Sequence, residues 1–138
     1  MKFGQKQNGI SLIEILVSIV IISFGLLGVA GLLTTGLKST QGSQVRTQAS
    51  FMAYDMADRM RTNREVARDG QYATAASATN AIAVADKADW KTAVETLPAG
   101  VGTVTMNNTS FFTITIEWDD SKVAGGSATQ QFVFVGEL

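Results

Sequence analysis

From Ile15 to Leu33 the chain carries 19 consecutive residues with no charge, no proline and no strongly polar side chain. A helix rising ~1.5 Å per residue would make that stretch about 28 Å long, close to the hydrocarbon thickness of a bilayer. From Thr34 to about Arg64 the pattern becomes one-sided. Val45, Ala49, Met52, Met56 and Met60 recur at intervals of three and four, Ala53 and Ala57 widen the stripe, and Gln44, Gln48, Asp55, Asp58, Arg59 and Arg61 fall opposite. No proline interrupts Ile10 to Arg64, so the two patterns predict one long helix, weakened at Gly36 and Gly42.

Tyr72 to Ala85 is rich in small residues and predicts an irregular or partly helical connection. A short helix follows over Asp86 to Leu97, with Trp90, Val94 and Leu97 on one face and Pro98–Ala99–Gly100 as the stop. The period then switches to two. Val101 to Met106 and Phe111 to Trp118 read as strands around a turn at Asn107–Asn108, and Gln131 to Val135 as a third strand after a loop containing Gly125–Gly126. Phe112, Ile114, Ile116 and Trp118 share one face of the second strand, so a small antiparallel sheet must cover the amphipathic half of the helix. The expected class is α+β: a long N-terminal helix, with a transmembrane half and an amphipathic half, packed on a small C-terminal antiparallel sheet.

Glu14 is the only charge between Lys6 and Lys38. A carboxylate carried to a bilayer's centre costs up to ~3 kcal/mol, so its place at the edge of the span needs a reason. Before it lies a nine-residue polar leader, MKFGQKQNG, with Lys2, Lys6 and a terminal Gly9. A secretory signal would put its small-residue cleavage site after the apolar stretch. Here the small residue precedes it, so a cut after Gly9 would leave the hydrophobic helix on the mature protein with Glu14 as its fifth residue. Basic leader, junction glycine, apolar run and Glu14 together resemble the class III signal of type IV prepilins and type II secretion pseudopilins. The resemblance implies that a prepilin peptidase cleaves after Gly9 and N-methylates Ile10, where the family most often has Phe. It also implies that Glu14 is an assembly residue. Physically, such a carboxylate is best satisfied by a cation in an apolar medium, and a neighbouring subunit's N-terminal amine supplies one. A buried pair of this kind sets register more surely than it adds stability. The plain alternative is an ordinary membrane anchor on which Glu14 is an interfacial charge.

Composition narrows the chemistry. Loss of the leader leaves 9 basic residues (11 minus Lys2 and Lys6) against 12 acidic, and no basic patch points to nucleic acid. The absence of cysteine rules out the disulfides common outside the cytoplasm, including the one that closes a C-terminal loop in many pilins. With no histidine either, the commonest metal ligands and general bases are missing, and no nucleophile elbow or base–nucleophile pairing is present. No catalytic residue, metal or cofactor is expected. The leader lysines place the N-terminal side in the cytoplasm and the following domain outside the inner membrane.

Three smaller features remain. Gly25, Gly28 and Gly31 recur every third residue, either as a close-approach face for another helix or as a local weakness of the kind a proline near Gly31's place gives major pilins. The run Asp55-Met56-Ala57-Asp58-Arg59-Met60-Arg61-Thr62-Asn63, followed by Arg64, resembles the D-M-A-D-R-x-R-x-N end of the long helix in minor pilins of the PilV type. Its arginines either close a solvated helix end through pairs such as Asp55–Arg59, or Arg59, Arg61 and Arg64 contact acidic groups of neighbouring subunits. Asp119, Asp120 and Ser121 lack the ligand spacing of a calcium loop and read as a solvated turn, and the Asn107–Ser110 glycosylation match is too common a pattern to carry weight.

The organisation expected is a leader over 1–9, an assembly helix over 10–33 and an extracytoplasmic domain over 34–138 (helix 34–64, connection 65–100, meander 101–138). The resemblance implies a non-enzymatic minor pilin whose partners are prepilin peptidase, other minor and major pilins and inner-membrane lipid. It would move from the inner membrane to the pilus and support its assembly, twitching motility or adhesion. A minor pseudopilin of type II secretion shares the same signal, helix and sheet.

Overall fold

The computed structural model describes residues 9–108, 110–123 and 126–138. The leader lysines Lys2 and Lys6, Thr109 of the glycosylation match and Gly125 of the predicted loop lie outside them. The elements, in order, are α1 (Leu12–Thr62), α2 (Arg64–Arg68), α3 (Ala81–Val94), β1 (Val101–Met106), β2 (Phe111–Trp118) and β3 (Gln130–Glu137). The chain divides into two compact units, Met1–Leu37 and Lys38–Leu138.

In the first unit α1 is apolar on all sides, and its side chains are exposed, from Leu12 at 81% to Leu32 at 76%. It contains a stretch long and apolar enough to cross a membrane. The few hydroxyls in and beside that stretch find acceptors in the helix itself. Ser18 donates to the Glu14 carbonyl and Ser23 to that of Ile19, both at 2.7 Å, and Thr34 and Thr35 donate to Ala30 and Gly31 at 2.9 and 3.1 Å. Each therefore enters an apolar medium already hydrogen-bonded.

The second unit is a helix-on-sheet layer. Its sheet is an antiparallel meander of order β1-β2-β3, in which Val104 faces Ile114 and Ile114 faces Phe134. The inner face of β2 is the row expected from alternation: Phe112, Ile114, Ile116 and Trp118 are all buried. Against it lies the α1 stripe, whose fully buried members are Ala49, Ala53, Met56, Ala57 and Met60, with Val45 and Met52 at its margin. Alanines along the centre let the helix backbone approach the sheet, and the flexible methionines fill what is left. Tyr54 completes the contact edge-on to Phe134, with ring centroids 5.0 Å apart.

Several boundaries differ from expectation, among them the end of α3, which falls at Val94 rather than Leu97. The long helix stops at Thr62 rather than Arg64, because Asn63 leaves helical geometry (φ −113°, ψ 50°) before the short α2 resumes. Helix α3 begins at Ala81, not Asp86, because the Asn80 side chain caps it by accepting from Ile82 N and Ala83 N. Strand β3 runs from Gln130 to Glu137, longer at both ends than the Gln131–Val135 read from apolar residues alone. The β1–β2 connection occupies 107–110, with Asn108 Oδ1 accepting from the backbone of Ser110 and Phe111 at 2.8 Å each.

Helix α3 meets the sheet through Trp90, whose indole lies where a side chain at Gly102 would have to go. Trp90 Nε1 donates to the Met52 carbonyl at 2.8 Å, joining α3 to α1. The second tryptophan, Trp118, is as deeply buried, but its Nε1 has no acceptor among the described residues. Trp→Phe at these two sites removes a similar volume with opposite hydrogen-bond consequences. Trp90→Phe is expected to destabilise the protein by about 1–2 kcal/mol more than Trp118→Phe, since only the former loses a made bond while the latter removes an unsatisfied donor. Denaturant unfolding of the full chain in detergent micelles measures the difference, and equal losses would contradict the assignment.

Candidate functional site

Gly9, Ile10 and Ser11 precede the helix, and all three are exposed. The Ser11 carbonyl accepts from Glu14 N at 3.0 Å and Ile15 N at 3.3 Å, so the first turn closes just after the Gly9–Ile10 bond. The peptide expected to be cut is therefore outside regular structure and open to a protease. Glu14 lies in the first turn, where a carboxylate suits the positive end of the helix dipole. Its side chain has no hydrogen bond or ion pair among the described residues. Beyond it, Gly25, Gly28 and Gly31 have nothing within 4 Å of where a Cβ would be, so no packing among the described residues accounts for glycine at these positions.

The arginines of the helix end are in the second unit, and each has partners in its own chain. Arg59 Nε donates to Asp55 Oδ2 at 2.9 Å and Nη1 to Asp86 Oδ1 at 3.0 Å. Arg61 donates through Nε to the Glu137 carbonyl at 3.1 Å and through Nη1 to Asp58 at 3.3 Å, with its guanidinium 5.9 Å from the Phe112 ring centroid. Arg64 donates to the backbone oxygen of Leu138. Together they tie the end of α1 to α3 and to the end of β3. Partial burial pulls the Arg59 pKa down, but the bonds and charges of Asp55 and Asp86 outweigh it and raise the pKa.

Asp86 is the residue on which that network converges. It also accepts from the Tyr72 hydroxyl at 2.6 Å, and the same hydroxyl accepts from Asn63 Nδ2 at 3.2 Å. Burial, and then the bond to Asp86, push the Tyr72 pKa up to about 12. Beside it, Lys87 Nζ donates to the carbonyls of Ala73 (2.7 Å), Ala76 (2.8 Å) and Gln71 (3.3 Å), pinning the loop before α3. Burial lowers the Lys87 pKa. Sequence reasoning missed Tyr72, Asp86 and Lys87: their partners are 9 to 27 positions away, and no spacing rule links them. In the β2–β3 loop Asp119 Oδ1 accepts from Ser121 N at 2.8 Å. The side-chain and backbone bonds of Ser121 hold its carboxyl below the usual aspartate range, as in a self-closed turn. Among the described residues no cluster of three or more acidic, His or Cys side chains is placed to hold a metal.

Residues 4–30 match the family described as the prokaryotic N-terminal methylation motif. Neither the curated proteins nor the solved structures contain a match to the chain. The motif, the apolar helix that follows it and the helix-on-sheet second unit define a pilin-like α+β protein, one with a structural rather than an enzymatic role. The motif implies processing by prepilin peptidase, and with the apolar helix it implies anchoring in the inner membrane.

The Tyr72–Asp86 bond has a pH signature. Folding favours the neutral phenol, so its contribution is complete below pH 10, the ordinary tyrosine value, and is lost as pH rises towards about 12. Unfolding measured across that interval should show stability falling in the wild type, and Tyr72→Phe should flatten the dependence. An unchanged slope in the variant would place the titration elsewhere.

Proposed function

We propose that this chain is a minor type IV pilin of the PilV type. It is trimmed after Gly9, methylated on Ile10, and joins other minor pilins in an inner-membrane complex that primes pilus assembly in support of twitching motility and adhesion. The observation that carries the reading is Glu14: a charge in the first turn of an apolar helix, within a matched methylation motif, with no partner in the chain among the described residues. After the cut, Ile10 would carry a free amine. A carboxylate left unpaired in its own subunit and an amine of the same kind on the next satisfy each other across an interface. The pair then costs least when the subunits are in one register.

The PilV assignment rests on the Asp55–Asn63 run. Of its arginines, Arg59 and Arg61 keep polar atoms towards solvent while holding their internal partners, so contact with acidic groups of a neighbouring subunit is compatible with the fold role of both. Arg64 would have to share the backbone oxygen of Leu138. The reading as a minor pseudopilin of type II secretion draws support from the same motif and helix. Deleting the gene separates the two: loss of surface pili is the outcome for a pilin, loss of exoprotein secretion that for a pseudopilin.

The first test is the intact mass of the protein from membranes with and without prepilin peptidase. Loss of Met1 to Gly9 plus one methyl group, seen only with the peptidase, is the expected result. A full-length mass in both would reduce Glu14 to an interfacial charge on an ordinary anchor. Glu14→Gln keeps the shape and removes the charge, and it should leave cleavage intact while reducing incorporation into pili at least tenfold. Unchanged incorporation would separate Glu14 from assembly.

A further inference from the structure

The two edges of the sheet are treated differently. On β1 the outward N–H and C=O of Val104 are both taken, by Thr74 Oγ1 at 2.7 Å and Thr74 N at 2.9 Å. That edge is closed by the chain itself. On β3 the even-numbered residues bond to β2, as Leu138 N to the Ser110 carbonyl shows at the strand's end. The odd-numbered ones turn outward, as Arg61 on the Glu137 carbonyl shows. The outward backbone groups of Gln131, Val133 and Val135 meet no partner among the described residues.

Natural edge strands are protected by lysine, proline, a bulge or brevity. Strand β3 has none of these: it is eight residues long, contains no Lys or Pro, and pairs with β2 in unbroken register from Gln130 to Glu137. Its neighbours are apolar. Val133 is 48% and Val135 62% exposed on the outer face, and on the inner face Tyr54 of α1, 47% exposed, lies edge-on to Phe134. The outer face is bounded by two carboxylates, Glu137 at one end and Glu117, which faces Gln131, at the other. Neither side chain has a cationic partner among the described residues.

We propose that β3 receives an extended basic segment of another polypeptide, added antiparallel as a fourth strand. The backbone edge supplies affinity, and Val133 with Val135 on one face and Tyr54 with Phe134 on the other supply an apolar wall on each face of the incoming strand. The carboxylates choose the partner. A second copy's β3 would bring more unpaired carboxylates to an edge that already carries two, whereas a strand with cations six residues apart spans the roughly 20 Å from Gln131 to Glu137 and meets both. Copies cannot chain edge to edge through β1, which is closed.

The test uses the full chain in detergent micelles and a blocked peptide, Lys-Val-Thr-Val-Thr-Val-Lys, whose lysines match that spacing. Saturating peptide should slow amide exchange at Val133 and Val135 at least tenfold and leave Phe132 and Phe134 unchanged. N-methylation of the peptide's two threonines, or Val133→Pro, which removes an outward N–H without touching the β2 ladder, should weaken binding at least tenfold. Charge removal by Glu117→Gln with Glu137→Gln should weaken it severalfold and abolish its salt dependence. The proposal is overturned if millimolar peptide gives no protection, or if the N-methylated peptide binds equally. Protection that grows with protein concentration alone would assign the edge to a second copy and overturn it too.

Discussion

Helix α1 has to satisfy two solvents in turn, and that constraint shapes the rest of the protein. From Ile15 to Leu37 it carries no charge, and the hydroxyls of Ser18, Ser23, Thr34 and Thr35 are turned back onto carbonyls one turn earlier, so that none of them requires water. From Lys38 the same helix must instead offer one dry stripe to a sheet and a polar remainder to water. The change is made by composition alone, without a proline and without a loop. Alanine and methionine on one side, with aspartate, glutamine and arginine on the other, suffice.

A domain without cystine has to hold its connections by other means. The helix-on-sheet core closes the layer and takes in Tyr72 and Leu138, but the rest of the loop leading into α3 and of the tail of β3 must be held otherwise. Polar ties do that work. Lys87 gathers three carbonyls of the loop, Asp86 joins Tyr72 to Arg59, and Arg61 and Arg64 hold the backbone at Glu137 and Leu138. The partly buried Asp86 has partners for both oxygens, a condition under which a polar group in the interior stabilises rather than penalises. Exposed pairs such as Arg68–Glu65 add little by comparison.

What was legible in the sequence follows periodicity. The limits of β1 and β2 and the buried row of β2 were readable residue by residue, because alternation over eight positions admits one inward face. The α1 stripe was readable for the same reason at period 3.6. The start of α3 was not, because Ala81 to Ala85 carries no amphipathic signal and the helix there depends on the Asn80 cap, visible only once the loop before it is placed. The ends of β3 were missed because Gln130 and Glu137 are held by pairing with Trp118 and Phe111, not by their own propensity. Of the candidate site, Gly9, Ile10 and Glu14 were read from a motif. The Tyr72–Asp86–Arg59 convergence was invisible because its members meet only through the fold.

Several features that the chain's own packing leaves unexplained have a common character. Among the described residues, Glu14 has a charge and no counter-charge; Gly25, Gly28 and Gly31 leave space that nothing fills; β3 has backbone groups with no ladder, flanked by Glu117 and Glu137 with no cation. Elsewhere the chain is careful. It closes the β1 edge twice over at Val104 and supplies Asp86 with two donors. Under the function proposed above, the groups it leaves open are the ones that other chains would complete. The open groups also differ in kind: a carboxylate at a helix start, a small-residue face and a strand edge require different complements. One symmetric contact between identical subunits does not meet all three, so the proposed assembly calls for heterologous contacts, in which each surface meets a different complement.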